Sequence, residues 1–151
     1  MFLNEKFKIK DLGHVNYFLG LQNEKVEQGM IVHQHRFANE LMSLYSMQDY
    51  KTVPTPLPSK LKLLPQMDNP LKDPSSYKQL IGKLNFLVHT RPDLAFTVQF
   101  LSHFIQNPCQ ADYDATLHVL QYVKGTLYQG LLLKNNQDFD VQAYCDYKWA
   151  T

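Results

Sequence analysis

Six of the chain's eight prolines fall in one stretch, "VPTPLPSKLKLLPQMDNPLKDP", residues 53–74. Each proline fixes φ and removes a backbone donor, so no helix interior or central strand can run through it. The stretch is therefore an extended connector or surface loop, which either wraps the fold or divides it in two. Regular structure has to form on one side of it or the other.

On the N-terminal side, "FLNEKFKIKDLG" suggests a short helical end closing at Gly13. In "HVNYFLGLQNEKVEQGMIVHQ", Val15, Tyr17 and Leu19 alternate, "EQG" at 27–29 supplies a turn and "MIVH" returns, which predicts a β-hairpin. "QHRFANELMSLYSM" predicts an amphipathic helix with Phe37, Leu41, Leu44 and Tyr45 on one face.

On the C-terminal side, Asp73 is placed to cap a helix that has Pro74 at its first position. Tyr77, Leu80, Ile81, Leu84, Leu87 and Val88 follow as an apolar stripe. Gly82 lies inside it at a cost of roughly 1 kcal/mol against alanine, which suggests the close approach of another backbone. "RPDLAFTVQFLSHFIQNP" predicts a second helix, and "ADYDATLHVLQYVKGT" a third, closed by Gly125 at the C′ position. "GLLLKNNQDFDVQAYCDY" predicts a final hairpin turning at "NNQD", with Asp138 and Asp140 as turn residues. The expected class is α+β, a helical centre with a β-hairpin at each end. A second soft boundary falls near 126–130.

The bulk numbers bound the rest. With 151 residues, 44% of them hydrophobic and 19% charged, a packed core is possible and wholesale disorder is not expected. The net charge of +1 excludes a strongly basic tail but not a local cationic groove. Cys109 and Cys145 form no metal spacing and no disulfide framework, which points to an intracellular, reducing compartment. No apolar run reaches membrane-spanning length, and the N-terminus does not read as a secretory signal, so no membrane partner is expected.

Few residues read as chemistry. His33 and His35 have the spacing of a zinc pair on a strand but lack a third ligand, and a polar strand face is the better reading. "RPD" at 91–93 reads first as a helix start, although Arg91 could grip an acid from a neighbouring helix with two hydrogen bonds. Lys6, Lys8 and Lys10 alternate, as phosphate contacts or as a solvated edge. Asp146 sits near the end of an alternating strand, Val141–Ala143–Cys145, and one acid cannot assemble a two-metal hydrolase. There is no Ser-His-Asp order, phosphate-cradling glycine loop or CxxC. The residues by themselves show no complete active site.

Six blocks in fixed order carry a resemblance: "FKIKDLGHVNYFLGLQ", "GMIVHQHRFANELM", "PTPL", "YKQLIGKLNFLVHTRPDLAFTVQFLSHFIQNP", "VLQYVKGT" and "VQAYCDYKWA". Together they closely resemble the Pol polyprotein of copia-type retrotransposons, plant ones in particular. The resemblance implies a stretch running from the end of a reverse transcriptase palm (1–53) through a Pro-rich connector (54–74) and a helical thumb and connection (75–126). It then runs into the start of a ribonuclease H-like domain (127–151). In that family the ribonuclease H domain begins with a strand that carries its first catalytic aspartate in a pattern like "SDADWAG", matched here by "CDYKWAT". Asp146 stands there, with Lys148 in place of a second aspartate and Thr151 in place of glycine. The family's "YVDD" is absent.

The resemblance therefore implies a fragment of an RNA-directed DNA polymerase that is inactive by itself. The parent enzyme would use magnesium, and no bound cofactor is expected here. Residues Tyr17, Phe18, Leu19 and Gly20 match a hairpin that holds the primer end, although a strand packed on a core would explain the aromatics equally well. Arg91 and Asp93 match "TRPD" as a structural position, while His118 and Gln121 stand where many members have arginine. The partners implied are an RNA/DNA duplex held weakly and the rest of the Pol polyprotein. Edge strands left without the palm would favour self-association. Because each hairpin would belong to a different parental domain, the two are not expected to share a sheet.

Overall fold

A computed structural model of the chain describes residues 16–58 and 70–135. The first short helical end, Lys6, Lys8, Lys10, residues 59–69 of the Pro-rich stretch, the return strand of the last hairpin and Asp146 lie outside those residues. The described part is α+β, as expected. Its elements are β1 (Tyr17–Phe18), β2 (Leu21–Val26), β3 (Gly29–His33), α1 (His35–Leu44), α2 (Pro74–Leu87), a 3₁₀ turn (Pro92–Leu94), α3 (Ala95–Ser102), α4 (Gln110–Gly125) and β4 (Leu131–Lys134).

The core is helical. Helix α2 begins as its sequence dictates, with the Asp73 carboxylate accepting from the Ser75 N–H at 3.0 Å and Pro74 in the first turn. Tyr77, Leu80, Ile81, Leu84 and Leu87 are all buried, and Val88 packs against them. The stripe meets α3 and α4, and α1 packs on α4. Each fully buried leucine contributes about 1.5–3 kcal/mol relative to exposure. Tyr77 donates from its hydroxyl to the Leu101 carbonyl at 2.6 Å, so its polar tip is satisfied inside the core. Burial, with the nearby Asp112 charge, pushes that hydroxyl well above its ordinary pKa. On α1, Ala38, Leu41 and Met42 face the core, whereas Leu44 is mostly exposed, a residue off the expected face. The expected second helix is split in two, because Pro92 starts a 3₁₀ turn before α3 takes over at Ala95.

The four strands form one antiparallel sheet in the order β1-β2-β3-β4. This corrects the expectation that the two ends of the chain contribute separate sheets. Strand β3 offers an unpaired edge, and β4 is a leucine run that pairs with it, Gly29↔Lys134 through Val32↔Leu131. Two glycines permit the approach. At Gly29 (φ 146°) a Cβ would run into the Leu133 carbonyl, and at Gly130 it would stand 2.6 Å from the Val32 carbonyl oxygen.

Two other glycine readings are also corrected. Gly125 has no positive φ; it is the last residue of α4, and a Cβ there would sit 3.2 Å from Thr52 Cβ. At Gly82 an added Cβ would meet nothing within 4 Å among the described residues. Gly82→Ala should therefore stabilise the fold by about 0.5–1 kcal/mol, read as a higher urea midpoint at unchanged m-value. A lower midpoint would contradict the open environment of this position.

The described parts of the Pro-rich stretch lie on the helices. The Thr55 carbonyl accepts from His118 Nε2 at 3.2 Å, and Leu71 N–H donates to the Pro108 carbonyl at 2.9 Å. Lys124 of α4 donates to the Met47, Gln48 and Tyr50 carbonyls and so fastens the turn after α1. Among the described residues no helix is long and apolar enough to cross a membrane.

Candidate nucleic-acid interface

The turn that joins β1 to β2 is made by Leu19 and Gly20, at φ 49° and 84°. Positive φ at both central residues is the primed geometry that matches the twist of a tight hairpin. It lifts the flanking side chains away from the core. Tyr17 is 55% exposed, Phe18 59% and Leu19 74%, so these residues are not the inner face of a packed strand. The space beside Gly20 is taken by the chain's own Phe86, whose Cζ would lie 2.8 Å from an added Cβ. Any side chain here would collide with that ring and would also have to adopt the left-handed backbone.

Phe86, near the end of α2, meets Phe37 of α1 edge to face, with centroids 5.0 Å apart. These two rings, with Gln79, Gly82 and Lys83, line a shallow open groove along α2. The turn and the groove thus adjoin across Phe86, although 62 residues separate Gly20 from Gly82. Gln34 fixes the joint. It is buried between β3 and α1. With its amide nitrogen turned toward the end of α2, it donates to the Phe86 and Leu87 carbonyls at 3.2 and 3.3 Å and meets Thr90 Oγ1 at 2.8 Å. The carbonyls at the end of α2 thereby gain a side-chain donor. The Arg36 guanidinium lies over the Tyr17 ring, 5.4 Å from its centroid, and the Arg36 N–H donates to Gln22 Oε1 at 2.8 Å.

Arg91 has a different use. It is 3% exposed, and its guanidinium donates to both Asp93 carboxylate oxygens at 2.9 and 2.8 Å. It also donates to the Thr126 carbonyl and hydroxyl at 2.9 and 2.8 Å. The two-bonded acid is thus in its own turn, not on a neighbouring helix as the sequence suggested. Tyr122 completes the cluster by donating to Asp93 at 3.0 Å. Burial would raise the Asp93 pKa, but the hydrogen bonds and charge of Arg91, with the Tyr122 hydroxyl, hold it below the usual carboxylate value. The Tyr122 hydroxyl is pushed up by burial and by that carboxylate. Every strong donor of Arg91 faces inward, so this cluster ties the end of α4 to the start of α3 and offers no grip to a ligand.

The histidines form no metal pair. His33 ends β3 with Nε2 3.2 Å from Glu24 Oε1, and its Nδ1 accepts the His35 N–H at 3.3 Å. Among the described residues no three side chains of His, Cys, Asp or Glu come together as metal ligands. His118 faces the Thr55 carbonyl, where the family resemblance places arginine.

Among the predicted residues, Tyr17, Phe18 and Leu19 stand exposed on one turn, and Gly20 of that turn lies against Phe86 of α2. Lys6, Lys8, Lys10 and Asp146 lie outside the described residues. Sequence reasoning did not find Gln34, Arg36 or Phe86. The one signal available was Gly82, an interior helical glycine that asked for an explanation.

No protein-family model and no solved structure matches the chain. Among curated proteins, an uncharacterized mitochondrial protein of Arabidopsis thaliana is 38% identical over 98% of this chain and 61% of its own length. The retrovirus-related Pol polyprotein from transposon RE2, also of Arabidopsis thaliana, is 34% identical over 98% of this chain and 10% of its own length. The Pol polyprotein from transposon TNT 1-94 of Nicotiana tabacum is 31% identical over 82% of this chain and 10% of its own. The chain therefore spans about three fifths of the first relative and about a tenth of the two polyproteins. Matches that run through most of its length make the chain a homologue of one short segment of the retrovirus-related Pol polyproteins of copia-type transposons.

Proposed function

We propose that this segment holds a template–primer duplex and leaves the chemistry to other parts of a reverse transcriptase. In this reading residues 1–53 close the palm, 54–74 connect, 75–126 form thumb and connection, and 127–151 open a ribonuclease H-like domain. The observation that carries the reading is the joint surface of the Leu19–Gly20 turn and the Gly82 groove. An exposed aromatic turn and a bare helical backbone, flanked by Lys83, form one continuous face. A helix-interior glycine that nothing among the described residues requires leaves room for a sugar–phosphate strand to lie against the helix. Lys83 supplies a cation for the phosphates.

Nucleotidyl transfer and RNA cleavage need carboxylates converging on divalent ions. The described residues offer no such set, so they do not fit a magnesium centre and no step is routed through one. The expected result is no primer extension and no RNA cleavage by the purified chain, together with weak duplex binding.

The test is anisotropy of a labelled RNA/DNA hairpin duplex titrated at rising salt. Wild type should bind at low ionic strength with a dissociation constant on the order of 10⁻⁴–10⁻⁶ M and lose affinity as salt rises. Gly82→Leu fills the groove on an open helical face, so it should fold normally and bind about tenfold more weakly. Equal binding by the two proteins would reject the groove, and no salt-sensitive binding at all would reject the function.

A second reading has its own observation. Val26, Leu132 and Leu133 of the sheet are exposed. Uncovered apolar strands favour association with another copy or with the rest of the polyprotein.

A further inference from the structure

Tyr128 follows α4 and is 86% exposed, the most exposed of the large hydrophobic side chains among the described residues. It is not stranded at random. Its ring stands against His35, with centroids 4.7 Å apart and planes tilted by 46°. His35 and Arg36 are consecutive residues in the first turn of α1, and Arg36 lies over Tyr17 at 5.4 Å. Tyr128 with His35 and Arg36 with Tyr17 therefore form two pairs of flat groups, set in one row by consecutive residues of α1. The row runs from the loop after α4, across the start of α1, to the hairpin. Tyr17 and Arg36 are themselves exposed, and His35 is half-buried. Glu24 of β2 lies 3.2 Å from His33 Nε2.

We infer that this row is a stacking platform for a single-stranded polynucleotide. Aromatic rings flanked by a guanidinium and an imidazole present π-faces to bases, and the guanidinium gives a cationic donor to the phosphates, a combination that binds single strands with little regard to sequence. A duplex keeps its bases stacked inside and cannot use the exposed Tyr128 ring in this way. The inference rests on the reading of the segment as a nucleic-acid holder. It differs from that reading in the form of nucleic acid and, Tyr17 apart, in the side chains used.

The experiment measures anisotropy of labelled oligothymidylate at low salt, beside the RNA/DNA hairpin duplex, on the whole chain. Tyr128→Ala should lower oligothymidylate affinity about tenfold, within the range of one lost base stack, and leave duplex affinity unchanged. Tyr128→Phe should bind as wild type, because stacking needs the ring and not the hydroxyl. Arg36→Gln should reduce the salt slope by about one phosphate contact. Melting curves of wild type and Tyr128→Ala should coincide, since the side chain is exposed. The platform is overturned if Tyr128→Ala binds oligothymidylate as tightly as wild type, or if wild type does not bind it. Loss of duplex binding with oligothymidylate binding intact would sink the proposed function and spare the platform.

Discussion

Asp93→Ala is expected to destabilise the fold by about 3 kcal/mol, near the low end for removing one partner of a buried ion pair. The cost arises at Arg91. That guanidinium is 3% exposed and keeps only the Thr126 carbonyl and hydroxyl as acceptors once the carboxylate is gone. A cation left buried without its anion is far worse placed than the same cation in water. Asp93 itself is partly exposed, so its own share of the pair is screened and the low end of the range applies. Against a total stability of about 5–15 kcal/mol the loss is large.

The same pair predicts an acid limb. The Asp93 pKa is lowered in the folded state, so its contribution is fully present above the unfolded value of about 3.9 and is lost as pH falls through the lower folded value. Urea midpoints followed from pH 6 to below pH 3 should fall for wild type in that window, and the gap to Asp93→Ala should narrow there. A gap under about 1 kcal/mol at neutral pH would refute the view of this cluster as the tie between α3 and α4.

Leu84→Ala is expected to cost about 2–5 kcal/mol. Leu84 is fully buried in the middle of the α2 stripe, where α3 and α4 close over the helix. Truncation removes buried area and leaves a cavity whose walls are held by Leu80, Ile81 and Leu87 of the same helix. Val88, at the end of the stripe and only half-buried, should cost clearly less when truncated. Denaturant melts of both variants at unchanged m-value test the gradient, and equal losses would mean that the core does not centre on α2.

Helix α2 was legible because its signals are local. Asp73, Pro74 and the 3.6-residue stripe lie within one short window and need nothing from elsewhere. The sheet was not. Pairing β3 with β4 joins Val32 to Leu131, and no short-range pattern records a contact between residues so far apart. The glycines show the same limit. Gly125 and Gly82 were read by position in a helix, yet Thr52 decides the first and open space the second. Of the candidate interface, residues 17–20 came from the family resemblance. Phe86 fell outside the apolar stripe and Gln34 at a strand–helix junction, where no periodicity marks a polar side chain that will reach the end of another helix.

The most direct measurement is a titration of the isotope-labelled chain with an RNA/DNA duplex at low salt, with backbone amide resonances as the readout. If the turn and the groove are one face, Leu19, Gly20 and the amides from residue 79 to 86 shift together and saturate on one binding curve. Shifts confined to the α3–α4 loop, or a turn and a groove that respond on separate curves, would contradict it.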